Sequence, residues 1–227
     1  MATIVILASA DSLIRVLREN TMLPHGYHTD YVLSSIRSDS VAPFVPILAV
    51  LPFATSYVDD IKSKFVRFFL IRTNYTCYLF SRILVCFFCG GLVIVAGVFL
   101  AWGTLSLLFI PMERVMEMPS DSTAIVLKTC GLLFLNGGFW AVAGMTMSTM
   151  MESKYIAYAS PFVMYYMLVI INERYFPDAY LIYPREWLAP SDLWPFGLLG
   201  PAILIIELAH IVALLFIFRA GRRLREL

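Results

Sequence analysis

The sequence predicts an all-α integral membrane protein, a helical bundle of six spans whose first is short or truncated. Three observations lead there. Of the 227 residues, 60% are hydrophobic and 15% are charged, with a mean hydropathy of +0.79; a soluble domain is nearer to about 45–50% apolar. The charges cluster between long apolar runs. The basic residues gather in short segments beside those runs, the arrangement that orients a chain in a membrane. A net charge of +1 leaves no electrostatic footprint for nucleic acid. So little polar chain remains that an ATPase or other large catalytic domain has no place on it.

In chain order, Met1 to Ala10 is apolar but half the length of a spanning helix. Ala8-Ser9-Ala10 resembles a signal-peptidase site, yet no basic region precedes it. The alternatives are a span running on through Asp11 and Arg15 to Leu17, or the end of a longer first helix. Residues 20–40 read as an exposed polar loop, in which His25, His28 and Asp30 are weak candidates for a metal. Ser40 to Val58 is free of charge and reads as the second span, kinked or irregular because Pro43, Pro46 and Pro52 remove backbone donors.

Residues 59–82 form a basic cytoplasmic segment. Ile83 to Ile110 is an uninterrupted apolar run and the third span, with Gly90, Gly91 and Gly97 suited to close helix approach. A short polar connection, 111–123, leads to a fourth span, Ala124 to Met151. Lys128 snorkels near its start, and Asn136-Gly137-Gly138 sits near its middle. Met145, Met147, Met150 and Met151 read as adaptable packing. A turn at 152–154 precedes a fifth span, Tyr155 to Asn172. Residues 173–197 are an outer loop rich in Tyr, Trp and Pro, expected to lie on the outer leaflet or dip into it. Leu193 to Phe218 is the last span, followed by the basic tail.

The charge distribution sets the topology. Segments 59–82, 152–154 and the tail hold ten of the seventeen Lys and Arg residues. Placed inside, they put the C-terminus in the cytoplasm of a multi-pass protein of the cell membrane, and six spans put the N-terminus there too. Cys86-x-x-Cys89 has no second pair in the sequence, so the cysteines read as packing residues.

Candidates for chemistry are sparse. Glu207 and His210 share a helix face in the last span. Ionisable groups at bilayer depth are costly and mark function by default. With Asn136 they are translocation-path candidates; otherwise the three satisfy one another as structural glue. Glu-x-x-His also occurs in di-iron bundles, but no other span supplies the second pair such a site needs. No nucleophile elbow, zinc-protease motif or P-loop is present, so the chain reads as a non-enzyme.

The basic segment is the most informative stretch. Ile61, Phe65, Phe68 and Phe69 recur at helical spacing, with Lys62, Lys64 and Arg67 on the other faces. This is an amphipathic helix lying along the inner membrane surface, against lipid or against a cytosolic partner. From Leu51 to Ile83 the pattern resembles the permease subunits of type-2 ABC exporters, the ABC-2 family, in the form found in small permeases of Gram-positive bacteria. In that family the second span ends at an acidic residue. A short helix, an apolar pair, a turn with Arg or Pro, and a basic residue opening the third span then follow. Asp59 or Asp60 matches the acid, Phe68, Phe69 and Leu70 the apolar pair, Arg72 the turn, and Arg82 the last basic residue. Lys64 stands where a small residue is commoner.

The resemblance implies a six-span ABC-2 bundle in which Asp59, Asp60, Lys62, Lys64, Phe65, Arg67, Phe68, Phe69 and Arg72 belong to a coupling helix. That helix would dock on a separate cytosolic ABC ATPase, which carries the ATP and Mg2+, while this chain binds no cofactor. A second copy or a related permease would complete the path, and the cargo would be amphipathic, a peptide or a lipid-like compound. The rival is a membrane protein without transport, such as a scaffold or a peptide-immunity factor.

Overall fold

Prolines, glycines and hydroxyls decide where the helices break, where they touch and how their polar groups are satisfied. The computed structural model describes residues 27–38, 41–66, 73–109 and 122–225, and every regular element among them is helical. The order is α1 (Tyr27–Arg37), α2 (Phe44–Val50), α3 (Ser56–Lys62), α4 (Tyr75–Phe109), α5 (Ser122–Met151), α6 (Lys154–Tyr175) and α7 (Leu199–Arg225). Four of them, α4 to α7, contain stretches long and apolar enough to cross a membrane. The chain is a helical membrane protein.

The centre is α5. It packs against all six other described helices, and 61% of its most apolar stretch is buried, against 17% for α7. Its hydroxyls are turned back on its own backbone. Thr146 Oγ1 donates to the Val142 carbonyl, and Ser148 Oγ and Thr149 Oγ1 donate to that of Met145, at 2.7–2.8 Å. Such internal satisfaction lets polar residues sit in an apolar interior.

α4 and α5 meet at glycines. A Cβ on Gly90 would lie 2.4 Å from the Ala141 Cβ, 2.9 Å from the Gly137 carbonyl oxygen and 3.0 Å from that of Ala49. One on Gly137 would lie 2.8 Å from the Gly90 carbonyl oxygen. Gly97, further along α4, is also buried. α2 enters the same crossing, and Gly144 of α5 faces Val50 of α2 and Pro161 of α6.

Several boundaries differ from those expected. Residues 20–40 were expected as an exposed loop, but their described part is α1, an 11-residue helix. It buries Thr29, Tyr31, Val32, Ser35 and Ile36. Tyr27 and Tyr31 pack on Phe109 at 5.5 and 5.9 Å between ring centroids, and Trp102 Nε1 donates to Thr29 Oγ1 at 3.2 Å. The face is hidden in the sequence because Val32 and Ile36 share it with Thr29, Tyr31 and Ser35.

The expected second span is two seven-residue helices, α2 and α3, joined by turns at 51–55. Pro52 has no N–H to give the Leu48 carbonyl, and the ladder stops there. α4 starts at Tyr75, well before the charge-free run, and is 35 residues long, about 52 Å at 1.5 Å per residue. A hydrocarbon core is about 30 Å thick, so α4 has length to stand out of the membrane. Cys77 therefore lies on a helix. α7 starts at Leu199 rather than Leu193 and carries the basic tail as helix to Arg225. Arg and Leu are good helix formers, and cations suit a helix C-terminus.

The aromatic segment 173–197 turns four of its seven aromatics, Tyr180, Tyr183, Trp187 and Trp194, onto the bundle's core, where the sequence suggests the membrane surface. Trp187 is 3% exposed, stacked on Trp140 at 6.2 Å and edge-on to Phe139 at 5.8 Å. Its Nε1 donates to the Leu181 carbonyl at 2.8 Å. Glu186 accepts from the Ser191 N–H and from Trp194 Nε1 at 2.8 and 3.1 Å. Asn172 Nδ2 donates to the carbonyls of Phe176 and Ala179, each at 2.9 Å, closing the end of α6. Tyr175, Phe176 and Phe196 remain exposed.

The glycine crossing is testable. Gly90→Val should cost about 1–3 kcal/mol, the usual range for overpacking. Gly103→Ala, with nothing within 4 Å of the added Cβ, should stabilise the helix by about 0.5–1 kcal/mol. Thermal unfolding in mild detergent reads both; equal midpoints for the two variants would refute the crossing.

Candidate functional site at the charged end of the bundle

α3 ends in a Schellman motif. The Lys64 N–H bonds the Ile61 carbonyl at 3.1 Å, and the Phe65 N–H bonds that of Asp60 at 3.1 Å. This geometry needs a left-handed residue just past the helix. Lys64 supplies it at φ 60°, a position where glycine carries no steric cost. The turn leaves Lys62, Lys64 and Phe65 exposed and buries Val66. Arg67, Phe68, Phe69 and Arg72 lie outside the described residues.

Behind that turn, two adjacent carboxylates tie α3 to two different helices. Asp60 pairs with Arg82 of α4 and accepts a 2.6 Å hydrogen bond from the Tyr78 hydroxyl. The Arg82 guanidinium also lies over the rings of Tyr78 and Phe53, at 5.3 and 5.7 Å. Asp59 pairs with Lys154, the first residue of α6. The two pairs differ in weight. The Arg82–Asp60 side chains are 19% and 17% exposed, whereas Lys154–Asp59 are 48% and 41% exposed. Exposed pairs contribute little; a half-enclosed charged hydrogen bond contributes more.

α7 closes the third side. Tyr57 is fully buried against Phe216, 5.1 Å between ring centroids, and its hydroxyl donates to the Ala220 carbonyl at 3.4 Å. Arg223 bonds Glu152, in the turn between α5 and α6, at 2.9 Å. α3 is therefore fastened to α4, α6 and α7 within one cluster. Tyr57, Tyr78 and Glu152 were not singled out from the sequence. Tyr78 had a signal, standing four residues before Arg82 on one helix face; the Tyr57 and Glu152 contacts join residues far apart in the chain.

The translocation-path candidates are not brought together. Asn136 is wholly enclosed, and neither its Nδ2 nor its Oδ1 has a partner. Glu207 and His210 lie on the outer face of α7, both exposed, away from the Ile205–Phe216–Ala220 stripe that packs inward. The four cysteines are free thiols, with Cys86 and Cys130 buried. Among the described residues, no three His, Cys, Asp or Glu side chains converge as metal ligands.

Asp60→Asn should lower stability by about 1.5–3 kcal/mol, the range for a hydrogen bond to a charged group. Asp59→Asn should leave the unfolding temperature close to that of the unaltered protein. Lys64→Gly should raise stability by about 1 kcal/mol by removing the left-handed side-chain penalty. Detergent unfolding curves of the three variants check the order; a Lys64→Gly protein less stable than its parent contradicts the turn. Set against protein-family models, curated proteins and solved structures, the chain matches none.

Proposed function

We propose that this chain is the membrane permease subunit of an ABC exporter, coupled through residues 59–69 to a separate cytosolic ATPase that holds the ATP and Mg2+. The observation that carries this is the anchorage of α3. Its two carboxylates are spent inward on Arg82 and Lys154, and the next turn presents Lys62, Lys64 and Phe65 outward. An apolar side chain flanked by cations suits a groove on an acidic partner. A push on this turn reaches α4 through Asp60–Arg82 and α6 through Asp59–Lys154.

In this reading the second span ends at Val58, with the break at 51–55 as a compliant joint. The charged end of the bundle is cytoplasmic, C-terminus included, by the positive-inside rule. The outward position of Glu207 and His210 favours a path between two permease copies over one through a single bundle, whose interior is packed with Trp140, Leu133 and Ile94. The cargo is amphipathic.

Purification of the tagged chain from its host in mild detergent, with mass spectrometry of what accompanies it, tests the proposal. A P-loop ATPase should co-purify. Lys62→Glu, Lys64→Glu and Phe65→Asp combined should reduce its recovery on the order of tenfold, as expected for loss of interface anchors, with the bundle's melting unchanged. Phe68→Asp with Phe69→Asp should act alike. A chain that purifies without any nucleotide-binding companion, where other transporters keep theirs, would favour the scaffold or immunity-protein reading.

A further inference from the structure

We propose that the arginine-bearing end of α7 holds a phosphate-binding site occupied by the headgroup of an anionic phospholipid. Between the end of α5 and the last turns of α7 lies a cavity of about 240 Å³, lined by Thr149, Met150, Glu152, Arg219, Arg222 and Arg223. Arg219, Arg222 and Arg223 stand at i, i+3 and i+4 and share one helix face. Three guanidiniums thus face one carboxylate.

The distribution of acids makes this cavity unlike its surroundings. Asp60 serves Arg82, Asp59 serves Lys154, and Glu152 serves Arg223 at 2.9 Å. Among the described residues no carboxylate pairs with Arg219 or Arg222. Arg222 lies over the Phe218 ring at 4.4 Å. A planar guanidinium fork suits bidentate contact with phosphate oxygens. The partial negative charge at the C-terminal end of a helix opposes an anion, and the guanidiniums outweigh it because a helix end carries only about half a charge.

The flanks select a lipid over free phosphate. Met151 and Phe218 are 67% and 60% exposed, and Leu215 is 50% exposed one turn deeper along α7. Met151 flanks the cavity, and Phe218 with Leu215 offers acyl chains an apolar strip along α7 toward the bilayer. Basic pockets between spanning helices at the cytoplasmic face are where anionic headgroups bind. This inference rests on the orientation proposed above and is independent of the ATPase.

The test is native mass spectrometry of the full chain released from bilayers of equal phosphatidylglycerol and phosphatidylcholine. The unaltered chain should retain phosphatidylglycerol on the order of tenfold over phosphatidylcholine, as two unpaired arginines at an anionic surface predict. Arg219→Gln with Arg222→Gln should bring that ratio near unity. Lys62→Gln with Lys64→Gln, which removes the same charge from the same end outside the cavity, should leave it intact. Equal retention in the arginine variant, or equal loss in the lysine variant, overturns the site. Displacement of the lipid by millimolar inorganic phosphate overturns the lipid as its occupant. ATPase recovery with the arginine variant should match that of the unaltered chain, so failure here and failure of the permease assignment read out separately.

Discussion

Two helices reach backbone contact only where neither carries a side chain, and α4 and α5 do so at Gly90 and Gly137. In lipid, apolar side chains gain little from meeting one another, because the surrounding tails are equally apolar; association rests on packing and on hydrogen bonds. A crossing with 2.4 Å left for a Cβ lets dispersion act between backbones and lets α2 enter from the side through Ala49. The other packing follows from it. Once α4 lies against α5, Phe87 and Phe88 of α4 reach Phe134 of α5 at 5.8 and 5.7 Å between ring centroids. Gly144 further along then admits α2 and α6. α7 lies along α5 through its Ile205–Phe216–Ala220 stripe, and Trp194 against Gly200 and Tyr57 against Ala220 tie its two ends.

The charged end obeys a different economy. Each carboxylate there sits beside a cation from another helix, and the most enclosed of these pairs, Asp60–Arg82, has a phenol and two aromatic faces around it. A half-buried guanidinium needs such company, because a lone charge in that setting would carry its desolvation cost uncompensated. The arrangement also makes α3 a rigid continuation of the bundle up to Ser63. The left-handed Lys64 turns the chain after α3, and Val66 returns to the core.

Much of this was legible in the sequence. The four long helices follow from apolar runs, and their glycines and the break at Pro52 follow from local chemistry. The basic segment was visible as the place where charges concentrate. What was not legible had a common cause. Charge-free length measures a hydrocarbon-matched stretch, while a helix continues as far as its backbone bonds permit. Hence Tyr75–Arg82 and Arg219–Arg225 read as loop and tail in the sequence, and the structure continues both as helix. α1 is hidden in the sequence because its inward face mixes Val32 and Ile36 with Thr29, Tyr31 and Ser35 in a stretch full of polar residues, although Tyr31 is 7% exposed. The aromatics of 173–197 were read by their preference for interfaces. Trp187 and Trp194 instead find hydrogen-bond acceptors at Leu181 and Glu186, which allows their rings to enter the bundle.

Glu207 and His210 bring the two halves of the molecule into one problem. An ionisable pair facing outward midway along an apolar helix would meet lipid in a lone chain, at a cost of a few kcal/mol per charge on insertion scales. No partner for either lies among the described residues of this chain. Asn136, which the sequence offered as their complement, is walled in on α5. The cost is avoided if that face of α7 meets water or another protein surface, and a two-fold copy is self-complementary for such a pair, since each Glu207 then opposes a His210. In the proposed permease, such a seam would place its polar groups at mid-depth with apolar walls above and below.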